Sequence, residues 1–393
     1  VVFVAKRRYL SAWCRILLNV TGSREAWRLG HRPALDGVRG IAILCVIGAH
    51  LLSRWSALGS IGVTVFFVLS GFLITALLLE ELDEGGRIDL RHFYARRARR
   101  LFPAMLLMLV FVSAVLAAIG LPWLWSAVSV ATYWSNWAGA AGMQRTWVEH
   151  TWSLAIEEQF YLVWPLLLLV ASRRISRRWV LGMLVTGAAA SAFMRAALYF
   201  AGVGPDRIYM GTDTRADALL LGCALALAMT LGFRLPRVPG GFIAGILALC
   251  LAVGAHDSSL FHDLLAPTVG AVAGIMLVGA GLGPSSLLER KALRWFGRRS
   301  YGIYLWTYPM LFIVTAFCGS HWWSWPLGTL LGITIAAASW QWLERPLLAA
   351  GRSGDPNPVD EVGPLRGVRA GVYLPNADVG GSEARRRAGD LIG

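Results

Sequence analysis

Residues 59–79 read GSIGVTVFFVLSGFLITALLL, and residues 80–100 read EELDEGGRIDLRHFYARRARR. The first stretch carries no charge over 21 positions. A helix rises about 1.5 Å per residue, so a run of this length matches the roughly 30 Å hydrocarbon core of a bilayer. The second stretch delivers Arg91, Arg96, Arg97, Arg99 and Arg100 just before another apolar run begins at Leu101. Basic loops stay on the cytoplasmic side of a membrane, so a long apolar run followed by such a loop predicts a helix that ends in the cytoplasm and a next helix that leaves it.

The same alternation extends in both directions. Apolar runs of near-spanning length fall at 38–53, 59–79, 101–121, 123–142, 152–171, 179–200, 216–232, 241–256, 264–282, 300–318 and 326–343. The basic stretches before 38, at 80–100, at 172–178, at Arg234 and Arg237, and at 289–299 should all be cytoplasmic. That sidedness conflicts with eleven crossings, because 101–121 leads outward while 152–171 must run inward to deliver the arginines after it. The segment 123–142, with Tyr133, Ser135, Asn136 and scattered glycines, is the one expected not to cross and reads as a re-entrant or interfacial element on the outer side. The expected fold is all-α, a polytopic membrane helix bundle of about ten transmembrane helices plus that one segment. The expected location is the cell (plasma) membrane, multi-pass, with both termini cytoplasmic.

Composition agrees. Of 393 residues, 56% are hydrophobic and 15% charged, which excludes an ordinary soluble domain. Eighteen tryptophans suit the bilayer–water boundary, where an apolar ring and a single donor are both satisfied. The net charge of +14 does not indicate nucleic acid, because the arginines cluster between apolar runs. Cys14, Cys45, Cys223, Cys250 and Cys318 show no paired metal-ligand spacing, and four of them lie in apolar runs, so no metal and no permanently bound cofactor is expected. Residues 1–33 read as a basic cytoplasmic arm, and residues 350–393, rich in Gly, Pro, Arg and Asp, as a disordered cytoplasmic tail.

Charges at membrane depth are costly and tend to mark internal functional cavities. Arg39 and His50 are 11 positions apart, within roughly 20° of one helix face and about 16 Å along its axis, and Asp36 lies near that face. One helix thus offers a cation near the cytoplasm and an imidazole deep in the bundle. In HTWSLAIEEQFYLVWP (150–165), Glu157 and Glu158 fall about two turns inside the outer end of an inward-running helix, and Ser153, Glu157, Tyr161 and Trp164 recur at helical spacing. Adjacent carboxylates cannot both face one cavity, so one is expected in the site and the other on a cation such as Arg195 or Arg215. The cluster Arg96, Arg97, Arg99 and Arg100 suits phosphate oxygens; orientation of the helix alone would also explain it.

Taken together, ALDGVRGIAILCVIGAH, VFFVLSGFLIT, FYARRARRLFPA, WSLAIEEQFYLVWP, RADALLLGCALA, FGRRSYGIYLWTYP and WLERPL resemble the acyltransferase-3 family of membrane O-acyltransferases, in order from about 34 to 347. The resemblance implies a membrane domain over 34–349 with ten helices. It also implies that Arg39 and His50 match the family's essential arginine–histidine pair, and that residues 96–100 match its basic motif. Thr307 stands where relatives often carry histidine, which puts a proton-handling role there in doubt. Many relatives carry an additional extracytoplasmic hydrolase-like domain, and the chain resembles the stand-alone type.

The implied reaction is transfer of an acyl group, acetyl first among the choices, from acyl-CoA to a hydroxyl of a sugar, envelope glycan, glycolipid or glycosylated metabolite. His50 is expected as general base or as an acyl-carrying nucleophile, with the two left open. Glu157 or Glu158 would orient it. Arg39 would hold donor phosphates or polarise the carbonyl, and Arg96, Arg97, Arg99 and Arg100 would bind the donor. Trp152, Ser153, Tyr161, Arg215, Asp217 and Tyr304 would contact substrate. A transporter or flippase, or a relative that has lost catalysis, are the competing classes; no inverted repeat supports transport.

Overall fold

The computed structural model describes residues 27–52, 56–143, 147–235, 240–255, 258–283 and 285–350. The arm before Trp27, Arg237 and the tail beyond 350 lie outside these. Every regular element among the described residues is a helix, as lipid requires of a chain that must satisfy its own backbone polar groups.

In chain order these are α1 (Pro33–Leu51), α2 (Ser56–Gly85), α3 (Leu90–Ala118), α4 (Leu124–Ala131), α5 (Ser135–Ala140), α6 (Trp152–Arg174), α7 (Arg177–Phe200), α8 (Pro205–Met210), α9 (Thr212–Thr230) and α10 (Gly240–Gly254). After a π-helical turn at Leu260–Leu265 come α11 (Ala266–Leu282), α12 (Lys291–Arg298), α13 (Ser300–Cys318) and α14 (Ser324–Ser339). A second π turn, Trp340–Glu344, leads into α15 (Arg345–Ala350). Seven helical spans are long and apolar enough to cross a membrane; they contain α1, α2, α3, α6, α7, α11 and α13. The three other expected crossings are helices too. α9 has 19 residues but carries Asp213, Arg215 and Asp217; α10 and α14 have 15 and 16 residues. The protein is a multi-pass, all-α membrane bundle.

Segment 123–142 is broken into α4, of 8 residues, and α5, of 6. At 1.5 Å per residue these are roughly 12 and 9 Å long, too short to cross. Between them Tyr133 adopts a positive φ of 53°, and its carbonyl accepts a bond from Gln159 Nε2 at 2.8 Å. Gln159 also reaches Asn136 and Thr212 at 2.9 and 2.8 Å. These bonds satisfy the irregular backbone and tie it to α6 and α9, the condition under which non-spanning backbone is tolerated in a membrane protein.

α2 is the central helix: 78% of its apolar window is buried, against 28% for α7, which lies at the periphery. α2 packs on α1, α9 and α11. Its approach to α9 is backbone to backbone. A Cβ on Gly71 would overlap the Leu219 carbonyl, and one on Gly222 would overlap that of Val68; small residues at such a crossing are how helices associate in lipid. Outward-facing Leu162, Phe193 and Val110 are 61, 75 and 60% exposed, an apolar girdle suited to lipid tails.

The basic loops gather at one end. Arg28 pairs with Glu84 at 3.1 Å, Arg177 with Asp83, and Arg298 with buried Asp36 at 3.4 Å. His50, in the last turn of α1, lies toward the other end.

Candidate functional site

The charge-free run Ile41–Gly48 keeps α1 helical through the apolar layer, and its register carries His50 to an internal cavity. The cavity is lined by His50, His150, Tyr304, Thr307 and Tyr308, with Ile43, Val46, Ile47 and Ile303 closing it. Its free volume of about 10 Å³ is room for roughly one water-sized group. The His150 ring lies 4.8 Å from that of Tyr308 and 5.3 Å from that of Tyr304, and the His50 ring 5.4 Å from that of Tyr308.

Four polar atoms here lack any hydrogen-bond partner among the described residues. They are His50 Nδ1, both ring nitrogens of His150, and Thr307 Oγ1. The backbones of Val46 and Leu305 lie near the His50 and His150 rings, respectively, without giving the orphan nitrogens hydrogen-bond geometry. Buried polar atoms are nearly always paired, so four orphans among the residues around one cavity make it the candidate site, although the cavity surface itself is mostly apolar. The walls are fixed. Tyr304 donates to the His150 carbonyl at 2.6 Å, and the Ser153 hydroxyl bonds Tyr304 Oη at 2.6 Å, which uses Tyr304 to lock α6 against α13.

Most of the remaining expected residues lie away from that cavity, with Arg39, Arg97, Glu157, Glu158 and Tyr161 in one electrostatic cluster. Arg39 sits on α1, half-buried and without a hydrogen bond among the described residues. Glu157 accepts from Ser70 Oγ at 2.7 Å. Glu158 is held by Arg97 through contacts of 2.7, 3.1 and 3.2 Å. Neither carboxylate bonds His50, which corrects the expectation that one of them orients the imidazole. The cation paired with Glu158 is Arg97, not Arg195 or Arg215. Helix register explains this: Glu157 and Glu158 lie about two turns below His150, at the depth of Ser70 and the α3 arginines.

Arg97 is likewise corrected as a free phosphate ligand, because its guanidinium carbon also lies 3.2 Å from the Tyr161 ring centroid. That contact covers Tyr161, which therefore does not face the cavity. Of the cluster, Arg99 and Arg100 are exposed and Arg96 half-buried. Asp217, expected to contact substrate, is bound by Arg195 at 2.8 Å. Tyr304 does belong to the cavity wall, Ser153 only bonds it from behind, and Trp152 stands beside Arg215, 5.4 Å from its ring centroid to the guanidinium carbon. His150 was absent from the expected site. The signal was available, since His150 opens the quoted 150–165 string, but it precedes the helical stripe and no periodicity points to it.

A multi-pass bundle of apolar helices with an imidazole-lined cavity between them defines the class as an integral membrane protein. The chain belongs to the acyltransferase-3 family, whose profile, described as an acyltransferase domain, matches residues 32–341. It is similar to a peptidoglycan O-acetyltransferase OatA of Listeria monocytogenes, 37% identical over 311 residues, covering 72% of this chain and 50% of the relative. A putative peptidoglycan O-acetyltransferase, YrhL, of Bacillus subtilis is 35% identical over 81% of this chain and 55% of its own length. The O-acetyltransferase OatA of Staphylococcus aureus is 33% identical over 72% and 51%. The chain thus spans about half the length of the curated relatives it matches. No solved structure matches it.

Proposed function

We propose that this protein transfers an acetyl group from acetyl-CoA to a hydroxyl of an envelope glycan, with peptidoglycan as the first acceptor to test. The acceptor class is supported by the relatives' activities, and the chemistry by one observation above all: the cavity is lined by two imidazoles, three of whose four nitrogens have no hydrogen-bond partner among the described residues. A sugar hydroxyl is a poor nucleophile near neutral pH and needs a base of matching strength. Neutral His50 takes the hydroxyl proton as the oxygen attacks the thioester carbonyl. Thr307 Oγ1 and the N–H of His150 donate to the oxyanion of the tetrahedral intermediate, whose charge such preorganised donors stabilise. Collapse breaks the carbon–sulfur bond, and the proton on His50 passes to the leaving thiolate. Thr307 stands where relatives often have histidine, and His150 brings a second imidazole to the same cavity from the 3-10 turn Glu149–Thr151 that precedes α6.

Donor phosphates suit the basic end, at Arg39, Arg96, Arg99 and Arg100, with the pantetheine extended along α1 across about 16 Å. That end is assigned to the cytoplasm on the distribution of arginines.

The test uses purified protein in liposomes, supplied with labelled acetyl-CoA and soluble peptidoglycan fragments. Release of free coenzyme A with matching formation of base-labile O-acetyl ester is expected, and His50→Ala should abolish both. Release that is unaffected by His50→Ala, or no ester at all with parent protein, would overturn the reading.

A further inference from the structure

Arg215, in the first turns of α9, is 2% exposed. Its guanidinium reaches only hydroxyls: Nη1 and Nη2 lie 3.3 Å from Ser60 Oγ, and Nη2 lies 3.4 Å from Thr64 Oγ1. Two aromatic faces flank it, with the Tyr209 centroid at 5.1 Å and that of Trp152 at 5.4 Å. Asp217 and Asp263 attract it without bonding it, and the carboxylates around it bond other groups. Asp217 holds Arg195 at 2.8 Å, Asp213 holds Arg207 at 2.6 Å, and Asp263, on the π turn, holds His262 Nδ1 at 2.9 Å. Among the described residues, then, Arg215 is a buried cation bonded only to neutral groups. A charge removed from water costs several kcal/mol unless an opposite charge meets it, and long bonds to two hydroxyls are weak compensation.

Location narrows what could supply the missing anion. Trp152 is two residues from His150, and its ring packs on Tyr209 at 4.7 Å, so Arg215 and its aromatic neighbours lie beside the histidine cavity. Ser60 and Glu80 both lie on α2, about 30 Å apart along its axis, and Glu80 sits at the basic end, where Leu29 N–H bonds it. The α3 arginines lie nearer, at the depth of Ser70, about 15 Å along α2 from Ser60, so Arg215 still stands apart from the groups suited to donor phosphates. Two aromatic walls around a guanidinium also suit a sugar ring bearing a planar carboxylate, which a guanidinium binds through two parallel bonds.

We propose that Arg215 is the carboxylate contact of an acceptor subsite walled by Trp152 and Tyr209, so that the acceptor is an acidic glycan and its charge seats the reacting hydroxyl beside the two histidines. The proposal rests on the acyl-transfer reading above, and its test is a binding measurement that does not require turnover.

The full chain, purified in detergent, is titrated calorimetrically with an oligosaccharide bearing a free carboxylate, with its methyl ester, and with coenzyme A. The parent is expected to bind the carboxylate form at least tenfold tighter than the ester. Arg215→Met should bind both equally and keep its affinity for coenzyme A, and His50→Ala, inactive in transfer, should keep the preference. Arg215→Lys, which retains the charge, gives a folded variant should the methionine variant not fold; it should weaken the carboxylate form at least threefold and leave the ester unchanged. No preference in the parent, a preference surviving Arg215→Met, or an Arg215 variant that loses coenzyme A instead would overturn the assignment, the last by returning the anion to the donor. Loss of transfer with the binding preference intact would fault the reaction and leave the subsite standing.

Discussion

Replacing Arg97 distinguishes a structural ion pair from a donor-binding residue. Arg97 and Glu158 are 22 and 16% exposed and share three contacts between 2.7 and 3.2 Å. Arg97→Met leaves the Glu158 carboxylate with no cation at membrane depth, and Glu158→Met leaves the guanidinium with no anion. Breaking one side of a buried pair costs ~3–5 kcal/mol; because chains unfolded within a membrane also find polar partners, the lower end applies here. About 3 kcal/mol is roughly a hundredfold in the folding equilibrium. Arg97→Met also loses the stack on Tyr161, worth about 1 kcal/mol. The double variant Arg97→Met/Glu158→Met removes both charges together, and hydrophobic replacement of a whole pair is often near neutral. Thermal unfolding of the detergent-purified protein should therefore show both single variants well below the parent and the double variant above either, a coupling of about 6 kcal/mol. If Arg97→Met unfolds like the parent while its Michaelis constant for the donor rises tenfold, the ion pair is incidental and Arg97 binds the donor after all.

His150→Ala should lower turnover by ~10²-fold or more while the melting curve stays near that of the parent, since neither ring nitrogen bonds the protein; turnover within threefold would remove His150 from the mechanism. Arg100→Ala, at an exposed position, should raise the donor Michaelis constant and leave turnover nearly unchanged, and an unaltered constant would return the cluster to setting topology. Gly222→Leu would push a side chain into the Val68 carbonyl; overpacking costs about 1–3 kcal/mol or more, so its melting temperature should fall, whereas Gly182→Leu, with open space at that position, should not change it. In a cysteine-free background, Arg91→Cys should react with an impermeant thiol reagent only after membranes are opened, and Trp322→Cys, 89% exposed in the wild type, should react in intact cells; the opposite pattern would invert the proposed orientation.

The class of fold and its helices were legible in the amino-acid sequence because lipid imposes a one-dimensional rule: a span needs about 20 apolar residues, and cations mark its ends. The same rule singled out 123–142 as non-crossing, and the structure divides it into two helices too short to span. His50 could be found because it shares a helix with Arg39, so their separation follows from helix geometry alone. What faces what between helices does not follow from spacing. Glu157 and Glu158 are adjacent in sequence, yet one meets Ser70 of α2 and the other Arg97 of α3, since side chains 100° apart on one helix address different neighbours. His150 joins His50 only because α6, α13 and α1 converge on Tyr308. Arg195 and Arg215 lie 20 positions apart in the sequence and are both 2% exposed, but only the packing of α7 against α9 gives Arg195 the carboxylate of Asp217 and leaves Arg215 with hydroxyls and aromatic rings. Pairing between distant segments is set by the geometry of close packing, and that information exists only in three dimensions.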